Sequence, residues 1–503
     1  MRQSKSFVFS DFSGGLNADA SPTSLEMNQA LDLDNIILLP KSGFKQRNGN
    51  SLFNSSAMAS GAAVHGIGYY RQIDGDEWLM SVCGTGIFKS EMDGTMDTIT
   101  GAVTVTTGQD NFWSYAQMND TAIFVGGSRA TDVPFKWTGT GNAAILAGTP
   151  PVGKWTIQAN NRLFIGNTVA NPSRVNWSIL GNPEDWTGAG SGSQDISTND
   201  GDEAVGAALV GTDHLLIFKQ SSIHEMIIRN SPFPVFPFKR NVGAAGPGAI
   251  VNVDGVIYFV TTETRMKATD GVNITEFPDT IDSIWDSIVT NRIRHIQGFY
   301  DRKRSLILWF CTVGVATTNN YCIVWDLVRK TWLKFTTGHS MNVVTMAQDR
   351  RIFAGGYDGK LYELDDADEM DDASESTTIV TSYWRSGWID YGEMINQKSI
   401  PYMDINFKTS DVDGSAFTLD YGFDFNVDQK QASVSLEQGG TLYGTGIYDT
   451  DVYGGVTDRT KLEFTKGHGK FFQFKLTHAR TGETFQINRV ALPVKDNGPF
   501  ALR

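Results

Sequence analysis

The side chains able to do chemistry are scattered along this sequence. Seven histidines stand at positions 65, 214, 224, 295, 339, 468 and 478, and no two share helical spacing. His224-Glu225 begins as a zinc-protease helix would, but the second histidine of that motif is missing. Three cysteines, Cys83, Cys311 and Cys322, lack metal-ligand spacing and are too few for a disulfide framework. Cys311 and Cys322 flank a polar loop between two apolar runs. They either face one another across a hairpin or are buried free thiols, the state that suits a chain folded in a reducing cytosol. No Gly-x-Ser-x-Gly elbow and no Gly-Lys-Ser/Thr phosphate loop is present. Carboxylates remain: Asp200, Asp202 and Glu203 lie close together, and a glycosidase needs two such groups across one cavity. Acidic residues in turns are ordinary surface, and nothing singles out a pair. The expectation is no catalysis, no cofactor and no metal.

Charged stretches offer binding chemistry instead. Arg292, Arg294, His295, Arg302, Lys303 and Arg304 form the most basic stretch. It reads either as a contact for DNA or an acidic neighbouring subunit, or as a solvated hairpin turn. Lys466, His468 and Lys470 alternate with Gly and read as a turn. The acidic run of Glu363, Asp365, Asp366, Asp368, Glu369, Asp371, Asp372 and Glu375 lacks the glycine that a calcium loop places after alternating ligands. It reads as a solvated linker. In Ser231–Phe238, closely spaced prolines stiffen an extended arm whose phenylalanines must bury, between the chain's own elements or on another subunit.

These groups must be positioned by a chain of 503 residues, too long for one ordinary core. Its 52 glycines and 11% aromatic residues are what many short strands and tight turns require. The balance of 42 basic against 56 acidic residues gives a net charge of −14. That argues against a dedicated nucleic-acid binder and fits a wall along which phosphates pass without sticking. Met1 to Ser10 lacks the apolar stretch of a signal peptide, and no run approaches the ~20 apolar residues of a membrane span. The chain reads as soluble.

A degenerate repeat organises the middle of the sequence. A polar turn of Asn, Asp, Arg or Gly is followed at once by an apolar run, with centres near 79, 124, 164, 216, 257, 307 and 353. Each run is followed by a second strand-like piece: Ile87–Lys89, Phe135–Trp137, Val175–Trp177, Ile223–Glu225, Met266–Ala268, Ile323–Asp326 and Leu361–Glu363. A period of roughly 40 to 52 residues is that of a four-stranded propeller blade. One blade exposes both faces, so blades must stack until the ring closes. The fold class expected is all-β: a β-propeller of about seven blades (six to eight) over residues 61–365. Gly188–Ser193 reads as a flexible loop inside it. An acidic linker then spans 366–376. Beyond it, alternating stretches such as Tyr402–Phe407, Phe417–Tyr421 and Phe471–Leu476 predict an antiparallel β-sandwich over 377–503, with Gly439–Gly455 as a long exposed loop.

Residues 1–60 do not repeat and read as an extended segment with one short helix. Phe12-Ser-Gly14-Gly15-Leu16-Asn17 is followed by Pro22, and Thr23 and Glu26 have the spacing of a capping box for that helix. Asp34-Asn35 and Gly43-Phe44-x-x-Arg47-x-Gly49 come next. Over about 45 residues this order resembles the opening of the tail-nozzle proteins of short-tailed bacteriophages, also called tubular tail protein B or packaged-DNA stabilisation proteins. The matching positions are Phe12, Gly14, Gly15, Leu16, Asn17, Pro22, Asp34, Asn35, Gly43, Phe44, Arg47 and Gly49. The resemblance implies a structural virion protein, assembled in the bacterial host cytoplasm and located in the phage tail. It implies a homo-hexameric ring held by a tail adaptor ring protein. Such a ring retains the packaged DNA, lets it pass at infection, and offers surfaces for fibres, spikes or a needle. The matching residues are expected to be structural. The alternatives are a receptor- or glycan-binding tail propeller and a glycan hydrolase.

Overall fold

The computed structural model describes residues 5–336, 341–366, 370–372, 378–410, 414–426, 430–436 and 458–499. The hairpin turns explain the repeat. Between Trp155–Ala159 and Arg162–Gly166, the two-residue loop Asn160-Asn161 takes φ of 44° and 53°. Between Ile250–Val253 and Val256–Val260, Asp254-Gly255 does the same. Left-handed φ at both loop positions matches the twist of paired strands, and Asn, Asp and Gly tolerate it best. The apolar run after each turn is the second strand of a blade, buried on both faces; Leu306–Cys311 is buried throughout.

Seven antiparallel blades follow one another. Their innermost strands are Val64–Arg71, Trp113–Gln117, Trp155–Ala159, Ala204–Val210, Ile250–Val253, Gln297–Asp301 and Met341–Met346. Each packs against the next and the last packs against the first, so the ring is closed. The seven apolar runs are the second strands of these blades, and the seven strand-like pieces that follow them are the third. The first six blades use consecutive strands. The seventh takes its outer strand, Ser51–Leu52, from before the first blade, in register Tyr362↔Leu52 and Glu363↔Ser51. Clusters of large side chains fill the gaps between blades. Trp78, Trp137 and Tyr70 pack with ring centroids 5.2–5.6 Å apart, and Phe233 of the proline-rich arm lies 4.8 Å from Trp177. Each such side chain contributes roughly 1.5–3 kcal/mol by leaving water.

The second unit is a sandwich of two sheets. One runs Asp458–Phe464, Tyr402–Lys408, Gln486–Pro499, Phe44–Gln46 and Ile36–Leu38, with Lys5–Phe9 and Asn396–Ser399 also paired to Gln486–Pro499. The other runs Lys430–Ser435, Ala416–Phe423, Phe472–His478, Ser382–Arg385 and Asp32–Asp34. Alternation is visible in Tyr402–Lys408, where Met403, Ile405 and Phe407 are buried between more exposed neighbours. The first fifty residues therefore do not stand apart: four of their strands belong to these two sheets.

Several expectations are corrected. The helix after Pro22 does not form. Gln29–Ala30 instead pairs in parallel with Gly15–Leu16, and Asn17 Oδ1 accepts from the Ala20 N–H at 3.1 Å. Pairing with an existing strand satisfies backbone groups that a lone helical turn would leave open. Among the described residues the only α-helix is Asp282–Asp286. Gly188–Ser193 is not wholly a loop, because Gly192–Asp195 forms the outer strand of the third blade. Of the two readings of Cys311 and Cys322, the buried free thiols hold, because the pair is one position out of register (Phe310↔Cys322, Cys311↔Tyr321). The acidic run is not simply solvated, since Asp371 and Asp372 are buried. The Gly439–Gly455 loop lies outside the described residues.

Burial pushes the Cys83 and Cys322 thiols up to about 12 and the Cys311 thiol well above its ordinary value. A native sample at pH 8 should leave all three unmodified by an aromatic disulfide reagent, and denaturant should release three equivalents. Rapid titration of any one in the native state would mean that its blade opens.

Candidate functional site

Nine of the twelve N-terminal positions lie at the joint between the sixth blade and the sandwich, while Asn17, Pro22 and Gly43 make their contacts beside it. Phe12 sets its ring edge-on to Phe44 and Trp384, with centroids 5.1 and 5.2 Å apart, and Phe44 meets Phe485 at 5.9 Å. Leu16 is buried in the same core. Thr331 Oγ1, on the outer strand of the sixth blade, donates to the Gly14 carbonyl at 2.6 Å. Gly15 has φ of 58°, and a Cβ there would lie 2.2 Å from Thr331 Oγ1 and 2.7 Å from the Trp332 carbonyl. Only glycine fits this approach. Pro22 offers its carbonyl to the Trp388 N–H at 2.7 Å, and Asn17 Nδ2 donates to Gln29 Oε1 at 3.0 Å.

Asp34 grips the end of the sixth blade. Its carboxylate accepts from the Thr336 N–H at 3.0 Å and from Thr336 Oγ1 at 2.6 Å. Burial raises the Asp34 pKa, against the pull of these two bonds. Asn35 adopts φ of 52° and faces three ways. Its N–H donates to the Lys334 carbonyl, its Nδ2 to the Thr381 carbonyl at 2.8 Å, and its Oδ1 accepts from Arg47 Nε at 2.9 Å. Arg47 then forks onto Asp372, Nη1 to Oδ1 at 2.9 Å and Nη2 to Oδ2 at 2.6 Å. The two side chains are 4% and 2% exposed, so this charge pair is out of water. Gly49 passes so close to Asp371 that a Cβ would lie 1.9 Å from its carbonyl oxygen, and one at Gly43 would lie 2.1 Å from the Ile487 carbonyl. The supposed linker thus supplies the carboxylate that holds the joint.

The basic stretch is divided by the strand Gln297–Asp301. On one side Arg292 is buried and bonded to Asp110 at 2.5 Å, while the exposed Arg294 lies 3.3 Å from Glu203. On the other, Arg302 lies 3.4 Å from Asp254, Lys303 donates its backbone N–H to Asp301 at 2.9 Å, and Arg304 is held by Asp301 and by Asp365 at 2.8 Å. The structure does not bring the five into one patch.

Sequence reasoning missed the two mouths of the propeller axis. Where the inner strands begin, a cavity of about 290 Å³ is lined from five blades, by residues including Asp110, Lys154, Asn167, Glu203, Arg294 and His295. Their sequence separation hides them, since only ring closure brings 110 near 295. Where the inner strands end, a wider hollow of about 580 Å³ is lined by Gln117, Asn119, Gln158, Asn161 and Gln348 with Arg71. Of the three candidate carboxylates, Asp200 is paired to the buried Lys219 at 2.6 Å, and Asp202 accepts from the Ser221 N–H and hydroxyl. Glu203 belongs to the first mouth. Among the described residues no three His, Cys, Asp or Glu side chains converge as a metal site, and no helix is long and apolar enough to cross a membrane.

No family model matches the chain, and no protein of curated function does. Solved structures do resemble it in fold. A streptogramin B lyase aligns with 15% identity over 63% of this chain and 97% of its own, at a TM-score of 0.45. The WD40 β-propeller domain of Doa1 aligns with 12% identity over 63% and 96%, at 0.41. BamB from Moraxella catarrhalis aligns with 10% identity over 63% and 97%, at 0.38.

Arg47→Ala would strand the Asp372 carboxylate in a dry site and should cost about 3–5 kcal/mol. Urea unfolding of Arg47→Ala, Asp372→Asn and the double variant should show the double loss well short of additive. Additive losses would mean the two groups act separately. Gly15→Ala should lower the thermal midpoint more than an exposed Gly→Ala change such as Gly211→Ala, where a Cβ meets nothing within 4 Å.

Proposed function

We propose that this chain is a structural virion protein, the tail nozzle of a short-tailed bacteriophage, and that it performs no catalysis. Six copies form a ring that closes the DNA channel beneath a tail adaptor and releases the genome at infection. The observation that carries this reading is the joint. Most of the residues that resemble the nozzle family help to fix the propeller to the sandwich, through a buried ion pair, glycine-tight backbone contacts and an aromatic cluster. A subunit that holds DNA under pressure has to transmit force without flexing between its domains. A ligand-binding propeller has no such need.

Other features agree with it. The net charge of −14 gives phosphates little reason to adhere. The cavity on the propeller's own axis is about 290 Å³, room for roughly ten waters and not for a duplex, which favours a DNA path between subunits. Asp200 and Asp202 are engaged in fixed contacts and are not poised as an acid–base pair.

A second reading, a receptor- or glycan-binding tail propeller, draws on the wider mouth. Its side-chain amides are the planar donors and acceptors that hold sugar hydroxyls. Light-scattering mass with negative-stain electron microscopy decides between them, on the protein alone and mixed with tails lacking it. The nozzle reading expects a ring of about 330 kDa, six chains of 55.2 kDa, in solution or added to the tail. A monomer or trimer that ignores tails and binds glycans saturably would replace it with the second.

A further inference from the structure

The narrower mouth of the propeller axis carries an excess of positive charge in a chain that is acidic overall. Glu203 stands at its centre. Arg294 lies 3.3 Å and Arg129 3.9 Å from its carboxylate, and Asn167 Nδ2 donates to it at 3.0 Å. Lys154, placed immediately before the inner strand of the third blade, lines the same cavity. Among the described residues, its ammonium has no carboxylate within ion-pair distance and no hydrogen-bond acceptor. Of these cations Lys154 and Arg294 line the cavity and Arg129 stands behind its wall, so two cations face the single Glu203 carboxylate there. The neighbouring Arg292 and Asp110 neutralise each other at 2.5 Å and add nothing to the balance. His295, also on the cavity wall, keeps its Nδ1 buried without a hydrogen bond, 3.6 Å from Asp110.

This arrangement is costly without a ligand. Burial pushes the Lys154 pKa down, and the nearby Arg129 and Arg294 push it further, with Glu203 opposing. A half-buried ammonium beside two guanidinium groups is stabilised by whatever brings compensating negative charge. The cavity, about 290 Å³ and fed from five blades, is large enough for a small ion with its first waters and too small for a polymer.

We propose that the inner mouth of the propeller is a binding site for a small dianionic oxyanion, held by Lys154 and Arg294 with His295 as a further donor. A hydrogen phosphate or a short dicarboxylate has the required charge and size. Arg294 offers a planar fork and Lys154 a point charge, from two different blades. Bound there, the anion ties the third and sixth blades together across the axis. The assignment is independent of the nozzle reading, because it concerns one subunit's own axis.

Isothermal titration of the full chain in phosphate-free buffer tests it, with inorganic phosphate and with succinate as separate titrants at constant ionic strength. One saturable site per chain is expected for at least one titrant, and the pair of titrations tells phosphate from carboxylate recognition. Lys154→Gln should weaken binding by about tenfold or more, the scale of one lost charge-assisted hydrogen bond. Arg294→Gln, at a side chain 61% exposed, should weaken it severalfold and serves if Lys154→Gln fails to fold. Arg302→Gln, at the far end of the same blade, should leave affinity unchanged. No saturable binding of either anion, or equal loss in the Arg302→Gln control, would overturn the assignment.

Discussion

The ring of blades is closed by residues that precede its first blade. Ser51–Leu52 forms the outer strand of the seventh blade, and Asn54 Oδ1 accepts from the Leu361 N–H at 2.6 Å beside it. A propeller whose first and last blades were only packed together would open where no backbone bonds cross. Here hydrogen bonds between residues more than 300 positions apart seal that gap. This closure fixes where residue 51 lies, and so obliges the fifty residues before it to run along the outside of the last blades. They have strands to pair there only because the sandwich lies against them.

The joint that results is polar at its centre, and the physics of buried charge explains its precision. A guanidinium and a carboxylate removed from water gain little net stability over an apolar pair of the same shape, but any arrangement that separates them is heavily penalised. Arg47 and Asp372 therefore work less as glue than as a register device. Asn35, in a left-handed backbone conformation that few other residues tolerate, is the hub. It touches the sixth blade through Lys334, the sandwich through Thr381 and the ion pair through Arg47. The aromatic cluster around Trp384 then supplies the apolar burial that makes the polar centre affordable.

Legibility in the sequence followed burial on both faces. The second strands of the blades, such as Leu306–Cys311, are continuous apolar runs launched from Asn, Asp or Gly turns, and both signals survive in a single sequence. The inner strands do not announce themselves. Trp155–Ala159 and Gln297–Asp301 mix polar and apolar residues because one face lines the axis, and Ala204–Val210 is mostly small. The spacing of Thr23 and Glu26 misled because a capping box describes only a helix start, while the fate of Gln29 and Ala30 was decided by a strand at Gly15. The acidic run misled for a related reason: charge density describes an average, and the two aspartates that matter are buried by partners at Arg47 and Gly482. The mouth cavity was invisible because its residues converge only once the ring exists.

The weaving of the first strands into the last domain has a consequence for how the protein is made. Gln46 ends up bonded to His478, 432 residues later. At about 5–20 residues per second, a ribosome needs roughly 20 to 90 seconds to cover that distance. Throughout that interval the early strands of the sandwich lack the later strands they pair with, and Ser51–Leu52 has no blade to edge until residue 364 emerges. Neither domain can be finished in the order in which it is translated. The later segment must retrieve the earlier one, so the nascent chain depends on those early strands staying soluble until their partners arrive.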